Sequence, residues 1–99
     1  MKLWIDDLRP APEGWERAWS VNGAKQAISE HEEYGLRYEL ISIDHDAGDY
    51  ACDGGDYIKL LDWFEETGRN YPIRIHSANV VGVQNMRRII ERNGWKEVK

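Results

Sequence analysis

Three short stretches of the chain place acidic, imidazole and hydroxyl side chains directly after apolar runs. In chain order they are Asp6-Asp7, Asp44-His45-Asp46 and His76-Ser77-Ala78-Asn79. The apolar runs before them are typical of strands buried in a sheet. In parallel α/β sheets, ligands bind in the crevice outside the carboxyl ends of the strands. The pattern therefore predicts that the three stretches meet in one site.

The first chemistry that these residues favour is the binding of a divalent cation. If the first and third strands are neighbours, Asp6, Asp7 and Asp44 lie close to one another. Clustered carboxylates are costly unless a cation neutralises them, and Mg²⁺ prefers oxygen ligands in an octahedron that retains water. We therefore predict that these three residues bind Mg²⁺, with Mn²⁺ as the alternative ion. The competing interpretation is a set of solvated acids at strand ends.

Two histidines indicate proton transfer at the same place. Histidine titrates near neutral pH and can exchange a proton with a phosphoester oxygen. His45 and His76 follow neighbouring predicted strands, so one ring could activate water while the other protonates the leaving oxygen. Asp44 could instead act as a nucleophile toward a phosphoryl group. Ligation of a transition metal and a purely structural role for the two rings remain open.

Three further residues are candidates for binding a substrate phosphate. Ser77 and Asn79 precede a predicted helix whose amino end favours an anion, although both residue types are also common helix caps. Arg9 is the cation nearest to Asp6 and Asp7 in the sequence. It could clamp a phosphate through two nitrogens or simply neutralise the acidic pair.

The elements that must position these groups alternate between strands and helices. We predict five strands, at residues 2–5, 15–21, 39–44, 72–76 and 95–98. We predict three helices, at residues 23–34, 55–67 and 80–93. Asn22 is the predicted N-cap of the first helix. The alternation implies right-handed crossovers and a mostly parallel sheet with helices on both faces.

Two loops and several helix surfaces complete the prediction. Residues 6–14 contain too much proline and glycine for a helix, so either this loop returns extended across the sheet or the second strand pairs differently. Residues 45–54 predict an irregular loop. It is either a plain surface loop or a mobile lid that offers Tyr50 and Tyr57 for stacking on a base. His31 is expected to be exposed, and the arginines of the last helix are expected to form a solvated face.

Composition restricts the class of protein. The 99 residues fit a single domain, 1–99, and 41% apolar with 31% charged residues is ordinary for a soluble globular protein. No apolar run reaches the roughly 18 residues that span a bilayer. The single Cys52 cannot form an internal disulfide, which favours a cytoplasmic location. The net charge of −5 argues against broad binding to a nucleic-acid backbone, but not against a small phosphate ester.

Three motifs resemble those of a known family. They are Leu3-Trp4-Ile5-Asp6-Asp7-Leu8-Arg9-Pro10, Ser42-Ile43-Asp44-His45-Asp46-Ala47-Gly48 and Ile75-His76-Ser77-Ala78-Asn79. They are similar to the cyclic-phosphate processing receiver-like family, a relative of response-regulator receiver domains. The resemblance implies a flavodoxin-like fold with strand order 2-1-3-4-5. It also implies action on a cyclic phosphate, such as that on an RNA end or a nucleotide derivative. Together with the three aspartates, this predicts metal-dependent hydrolysis of a cyclic phosphate, with a small phosphate ester, a nucleotide or an RNA end as the partner.

The sequence departs from a signalling receiver in three respects. The first crossover helix is missing, no Lys-Pro pair closes the last strand, and His45 and His76 lie where ordinary receivers need no histidine. In the receiver mechanism that lysine binds the phosphoryl group, so its absence argues against signalling more than against a metal site. A phospho-acceptor receiver and a non-catalytic ligand-binding module nevertheless remain the two alternatives.

Overall fold

After two consecutive strands, helices and strands alternate along the chain in a computed structural model that describes residues 1–99. The strands are β1 (Lys2–Ile5), β2 (Glu16–Ala18), β3 (Leu40–Ile43) and β4 (Ile73–Ile75). The helices are α1 (Val21–Glu33), α2 (Ile58–Thr67) and α3 (Val80–Asn93), with a short 3₁₀-helix at Gly48–Cys52. No helix has the length and apolar character that crossing a bilayer requires.

The sheet is parallel and has four strands in the order β2-β1-β3-β4. The predicted order is therefore confirmed for four strands, but the predicted fifth strand at 95–98 is wrong. Glu97 forms only an isolated parallel bridge with Ile73. The backbone of Ile73 bonds to the carbonyl of Lys96 and to the N–H of Val98, and the ladder does not extend beyond this one bridge. Trp95 instead packs into the core.

The connection from β1 to β2 runs back across the sheet without a helix. Since β1 and β2 are parallel, the chain must return to the amino edge between them, which is the first of the two predicted alternatives. The indole N–H of Trp4 donates to the carbonyl of Arg9 at 2.9 Å. Trp15 packs edge-on against Trp4, with ring centroids 5.9 Å apart. The loop therefore takes the place of the missing helix.

All three helices pack on one face of the sheet, so the prediction of helices on both faces is wrong. A single core of 20 buried residues combines alternate residues of β1, β3 and β4 with apolar residues of α1, α2 and α3. After β2, each crossover moves the chain in the same direction along the sheet, and right-handed crossovers in one direction put every helix on one side. We call the other side the helix-free face; it carries Lys2, Trp4, Arg17, Leu40, Ser42 and Arg74.

Two predicted helix starts require correction. Ser20, not Asn22, caps α1, because its hydroxyl accepts a hydrogen bond from the N–H of Gly23 at 2.9 Å. α2 begins at Ile58 instead of residue 55, since Gly54 and Gly55 have φ of 112° and 90°, outside the helical region. The preceding loop is also more regular than predicted, because it contains the 3₁₀-helix.

Two side chains predicted to be accessible are largely buried. Tyr57 is fully buried and donates to the carbonyl of Trp19 at 2.6 Å, so it cannot stack on a ligand, whereas Tyr50 remains exposed. His31 is only partly exposed, because its Nε2 lies 3.0 Å from Glu16 and its ring stacks on Tyr38. The expectation that His31 is exposed is therefore wrong.

Candidate active site

The three carboxylates predicted to bind a metal lie together at the carboxyl end of the sheet. One oxygen from each of Asp6, Asp7 and Asp44 falls within 4.8 Å of the other two. The register of the sheet explains this proximity, since Ile5 pairs with Ile43 and the next residues emerge at the same edge. The N–H of Asp44 also donates to the carbonyl of Ile5 at 3.0 Å. We call these three residues the acidic cluster.

Asp6 is the fully buried member of the acidic cluster. Its Oδ1 accepts hydrogen bonds from the N–H groups of Leu8 and Arg9 at 2.8 and 3.0 Å. Its Oδ2 lies 2.9 Å from Nε2 of His76. Burial alone would raise the pKa of Asp6, but these hydrogen bonds outweigh it and hold the pKa below its usual value. Asp6 is therefore a fixed anion beside two more accessible acids.

His76 is engaged at both ring nitrogens. Nε2 faces Asp6, and Nδ1 lies 2.7 Å from the hydroxyl of Ser42. The ring stacks on Trp4 with 3.8 Å between centroids and 5° between planes. Burial lowers the pKa of His76 despite the neighbouring carboxylate of Asp6, which favours the neutral ring. The arrangement fixes the ring and orients Asp6.

Ser42 and Trp4 were not predicted to belong to the site. Ser42 is fully buried in β3 and also accepts a hydrogen bond from Nε of Arg74 at 3.3 Å. A lone hydroxyl inside an otherwise apolar strand was the available signal for Ser42, because a buried hydroxyl needs a partner. No comparable signal marked Trp4, since only the register of the sheet brings its ring against His76.

Arg9 is the cation that faces the acidic cluster. Its Nη1 lies 3.3 Å from Asp6 and 3.6 Å from Asp44, and it donates to the carbonyl of His76 at 2.9 Å. The predicted neutralisation of the acidic residues is therefore observed in this structure. About half of the Arg9 side chain is nevertheless exposed, at 49%, so its guanidinium is within reach of a ligand above the cluster.

His45 pairs with a different acid from His76 and keeps one nitrogen accessible. Its Nδ1 lies 2.8 Å from Asp46 and 3.4 Å from the amide of Asn79. Hydrogen bonding to His45 lowers the pKa of Asp46. Nε2 has no partner in the chain and is not shut off from solvent. Gly82 lies against the ring, and any side chain there would collide with it; neither Gly82 nor the pairing role of Asp46 was predicted.

Ser77 and Asn79 form the start of α3. Asn79 is its N-cap and accepts a hydrogen bond from the N–H of Gly82 at 2.9 Å. The hydroxyl of Ser77 accepts one from the N–H of Asn79 at 3.1 Å. The capping interpretation is therefore observed for Asn79, and phosphate binding by either residue stays a prediction. Their loop lies beside Asp46, since the amide of Asn79 approaches that carboxylate at 3.3 Å.

The donor set of the acidic cluster fits a small divalent cation. All three groups offer carboxylate oxygens, the ligand type that Mg²⁺ and Mn²⁺ prefer. Asp7 and Asp44 are partly exposed, which leaves room for the water molecules that such ions retain. Gly48 has φ of 56°, and a Cβ at this position would collide with the carboxylate of Asp7. The 3₁₀-helix thus approaches the cluster closely because residue 48 lacks a side chain.

Comparison with known families gives the same answer as the motifs. The description of the matching family is "Cyclic-phosphate processing Receiver domain", and the match covers residues 1–92. No curated protein and no solved structure matches the chain. The matched range contains all four strands and every residue of the candidate site. The chain therefore belongs to the cyclic-phosphate processing receiver domain family.

Proposed function

We propose that this domain hydrolyses a cyclic phosphate, carried by a nucleotide derivative or an RNA end, with a divalent cation bound by Asp6, Asp7 and Asp44. The observation that supports the proposal is the meeting of three carboxylates within 4.8 Å beside a single guanidinium. The bound ion, Mg²⁺ or alternatively Mn²⁺, would polarise a phosphate oxygen and neutralise the site. The family name favours a cyclic phosphate as the substrate.

The residues of the cluster differ in what they can contribute. Asp7 and Asp44 have partly exposed carboxylates, so they are the ligands that an arriving ion reaches first. Asp6 is buried and already oriented by His76, so it acts as the fixed anchor. Arg9 is half exposed and can turn from the carboxylates to the substrate phosphate once a metal carries the neutralising charge. A guanidinium suits this task because it binds phosphate through two nitrogens.

The hydrolysis requires a group that moves protons. Water forms a new P–O bond while one ester P–O bond of the ring breaks. One proton leaves the attacking water, and one is taken up by the released alkoxide, so the product is a phosphomonoester with a free hydroxyl. We assign this proton transfer to His45, because Asp46 orients its ring and Nε2 remains free. His76 has both nitrogens engaged and is assigned to positioning Asp6.

A phospho-acceptor receiver remains the alternative for Asp44, whose carboxylate is partly exposed. By resemblance, a signalling receiver needs a lysine near the acceptor aspartate. Lys96 does not supply it, since its carbonyl bonds to the N–H of Ile73 at the start of β4. That position is at the sheet edge opposite Asp44. Labelling of Asp44 by acetyl phosphate and Mg²⁺, without turnover of cyclic phosphates, would favour the receiver function.

The direct test is turnover of 2′,3′-cyclic nucleotides with Mg²⁺, with Mn²⁺ and with a chelator. We expect turnover that depends on the ion, and Asp44→Asn should reduce kcat/KM on the order of a thousandfold, equivalent to about 4 kcal/mol of lost transition-state stabilisation. Asp62→Asn is the matched control, because Asp62 is an acid on α2 that contacts only Lys59. Equal turnover by the wild type, Asp44→Asn and Asp62→Asn would contradict the proposal.

The two histidines can be separated by their different expected effects. His45→Gln should lower kcat by roughly 10²- to 10⁴-fold, the usual contribution of a general acid or base, and leave metal affinity unchanged. His76→Gln should weaken metal binding by roughly 10- to 100-fold, as expected for a residue that orients a ligand. His31→Gln is the control, since His31 contacts Glu16 and Tyr38. If His76→Gln lowered kcat and His45→Gln weakened metal binding, His76 would be the proton-transfer group and His45 the positioning residue.

A further inference from the structure

The helix-free face of the sheet concentrates positive charge. The register aligns Arg17, Trp4, Ser42 and Arg74 in one row across β2, β1, β3 and β4. Lys2 lies on the same face, two residues before Trp4. This concentration is unexpected in a chain with net charge −5.

The two arginines of this face form no ion pair with a carboxylate. The guanidinium of Arg17 donates to the backbone carbonyl of Asp6 at 3.1 Å, and that of Arg74 donates to the hydroxyl of Ser42. Three other arginines are instead paired with glutamates: Arg69 with Glu32, Arg87 with Glu97 and Arg92 with Glu65. Arg17 and Arg74 therefore keep guanidinium charges that can meet an external anion.

Tryptophan rings lie between these cations. The ring of Trp15 is 5.5 Å from the ammonium of Lys2 and 5.5 Å from the guanidinium of Arg74. Arg17 lies 4.8 Å over the ring of Trp19, which is 45% exposed. Trp19 is the exposed ring of this group, whereas Trp15 is partly buried. Cations interleaved with aromatic rings are typical of surfaces that bind single-stranded nucleic acid, because phosphates pair with the cations and bases stack on the accessible rings.

The helix-free face is continuous with the acidic cluster. Arg17 contacts the backbone of Asp6, and the rings of Trp4 and His76 stack at the boundary between the face and the site. A nucleic-acid strand that lies on the helix-free face can thus place its end at the acidic cluster. A cyclic mononucleotide has no further phosphates to place on the helix-free face.

We propose that the helix-free face binds the ribose-phosphate backbone of a single-stranded RNA whose terminal cyclic phosphate enters the acidic cluster. This proposal rests on the proposed function and selects the RNA end over the free nucleotide as substrate. Phosphates contact Lys2, Arg17 and Arg74, and one base stacks on Trp19. An acidic protein segment would satisfy the cations equally well, but it would leave the exposed ring of Trp19 without a stacking partner.

The test is a salt titration of RNA binding in the presence of Mg²⁺. A fluorescein-labelled single strand of about ten nucleotides with a 3′-hydroxyl is followed by fluorescence anisotropy, so binding is measured without turnover. Three phosphate contacts predict a slope of log K against log salt of about −2, and Lys2→Gln and Arg17→Gln should each reduce its magnitude by about 0.7. Trp19→Ala should weaken binding roughly tenfold through lost stacking.

Arg88→Gln is the matched control, because Arg88 is an exposed arginine of α3 whose side chain contacts only Asn85. It should bind RNA as the wild type does. An unchanged slope in Lys2→Gln and Arg17→Gln, or a drop in Arg88→Gln equal to theirs, would overturn the proposal. Stronger binding of poly-glutamate than of RNA at the same salt concentration would also overturn it and assign the face to an acidic protein.

A turnover comparison separates this proposal from the proposed function. With an RNA that ends in a 2′,3′-cyclic phosphate, Lys2→Gln should raise KM severalfold, while its turnover of a cyclic mononucleotide stays at the wild-type level. If RNA binds with the expected slope but neither substrate is processed, the proposed function fails and the RNA surface stands. If mononucleotides are processed and RNA does not bind, the RNA surface fails and the proposed function stands.

Discussion

Two acidic places in the molecule are neutralised differently. At the end of α1, Glu32 accepts hydrogen bonds from Nε and Nη2 of Arg69 at 3.2 and 2.9 Å and from the hydroxyl of Tyr71 at 2.7 Å. At the carboxyl end of the sheet, three carboxylates share the guanidinium of Arg9, which lies 3.3 and 3.6 Å from two of them. One place has matched charges, and the other has an excess of negative charge.

The difference indicates what each place does. The charge of Glu32 is balanced by Arg69 of its own chain, so the partners of Glu32 serve the fold. A cluster with one cation for three anions costs stability in the free protein, and we propose that it binds a divalent cation in return. Sites that trade stability for function in this way are common in enzymes. This trade can be measured as changes in the free energy of unfolding.

The largest expected effect is stabilisation of the fold by Mg²⁺. An ion that binds only the folded chain raises the free energy of unfolding by about 2.7 kcal/mol at one hundred times its Kd. Asp44→Asn should remove this increment, whereas Glu32→Gln should keep it, because Glu32 lies outside the acidic cluster. Urea unfolding with and without Mg²⁺ measures both quantities. NaCl at matched ionic strength is the control, and stabilisation by NaCl as large as by Mg²⁺ would mean that screening alone is responsible.

The second effect is the loss of stability when Glu32 no longer matches the charge of Arg69. Glu32→Gln should lower the free energy of unfolding by about 1–2 kcal/mol, because it leaves Arg69 and Tyr71 with a neutral partner. The expected loss of stability is small because Glu32 and Arg69 are 29% and 22% exposed, so solvent screens the pair. Glu33→Gln is the matched control next to it in the chain, and its exposed side chain should change stability by less than about 0.5 kcal/mol. Equal values for the two variants would contradict the comparison.

The loss of stability in acid should depend on Glu32 as well. Burial opposes ionisation of Glu32, but the bonds from Arg69 and Tyr71 outweigh it and hold the pKa of Glu32 below its ordinary value of 4.5. A lowered folded-state pKa contributes stability that is present above pH 4.5 and is lost as the pH falls through the folded value. Urea unfolding between pH 6 and 3 should therefore show a steeper loss for the wild type than for Glu32→Gln. Parallel curves would contradict this assignment.

The contrast also shows what the sequence could predict. The acidic cluster was predictable because Asp6, Asp7 and Asp44 directly follow apolar runs, and parallel strands open their carboxyl ends at one edge. The group around Glu32 was not predictable, since its partners are 37 and 39 residues away and nothing local to α1 indicates them. The burial of His31 and Tyr57 was missed for the same reason, because loop and helix packing decides it.

The layers of the fold show a second limit of sequence reasoning. The prolines and glycine of residues 6–14 predicted the missing helix after β1, but not that the remaining helices would share one face of the sheet. Without that helix, every crossover runs in one direction and the helix-free face results. The row of Arg17, Trp4, Ser42 and Arg74 then depends on strand register, which a single sequence specifies only through its turns and apolar pattern.

The smallest expected effect concerns Asp7→Asn, whose effect on the free energy of unfolding should change sign between chelator and Mg²⁺. With a chelator present, Asp7→Asn should raise the free energy of unfolding by roughly 0.5–1 kcal/mol, because it removes one of three mutually repelling carboxylates from a partly screened cluster. With saturating Mg²⁺ the variant should be less stable than the wild type, since it has lost a ligand. Glu32→Gln should be destabilised by the same amount under both conditions. Urea unfolding of the two variants with chelator and with Mg²⁺ tests the comparison directly, and destabilisation of Asp7→Asn in chelator would mean that its carboxylate serves the fold as Glu32 does.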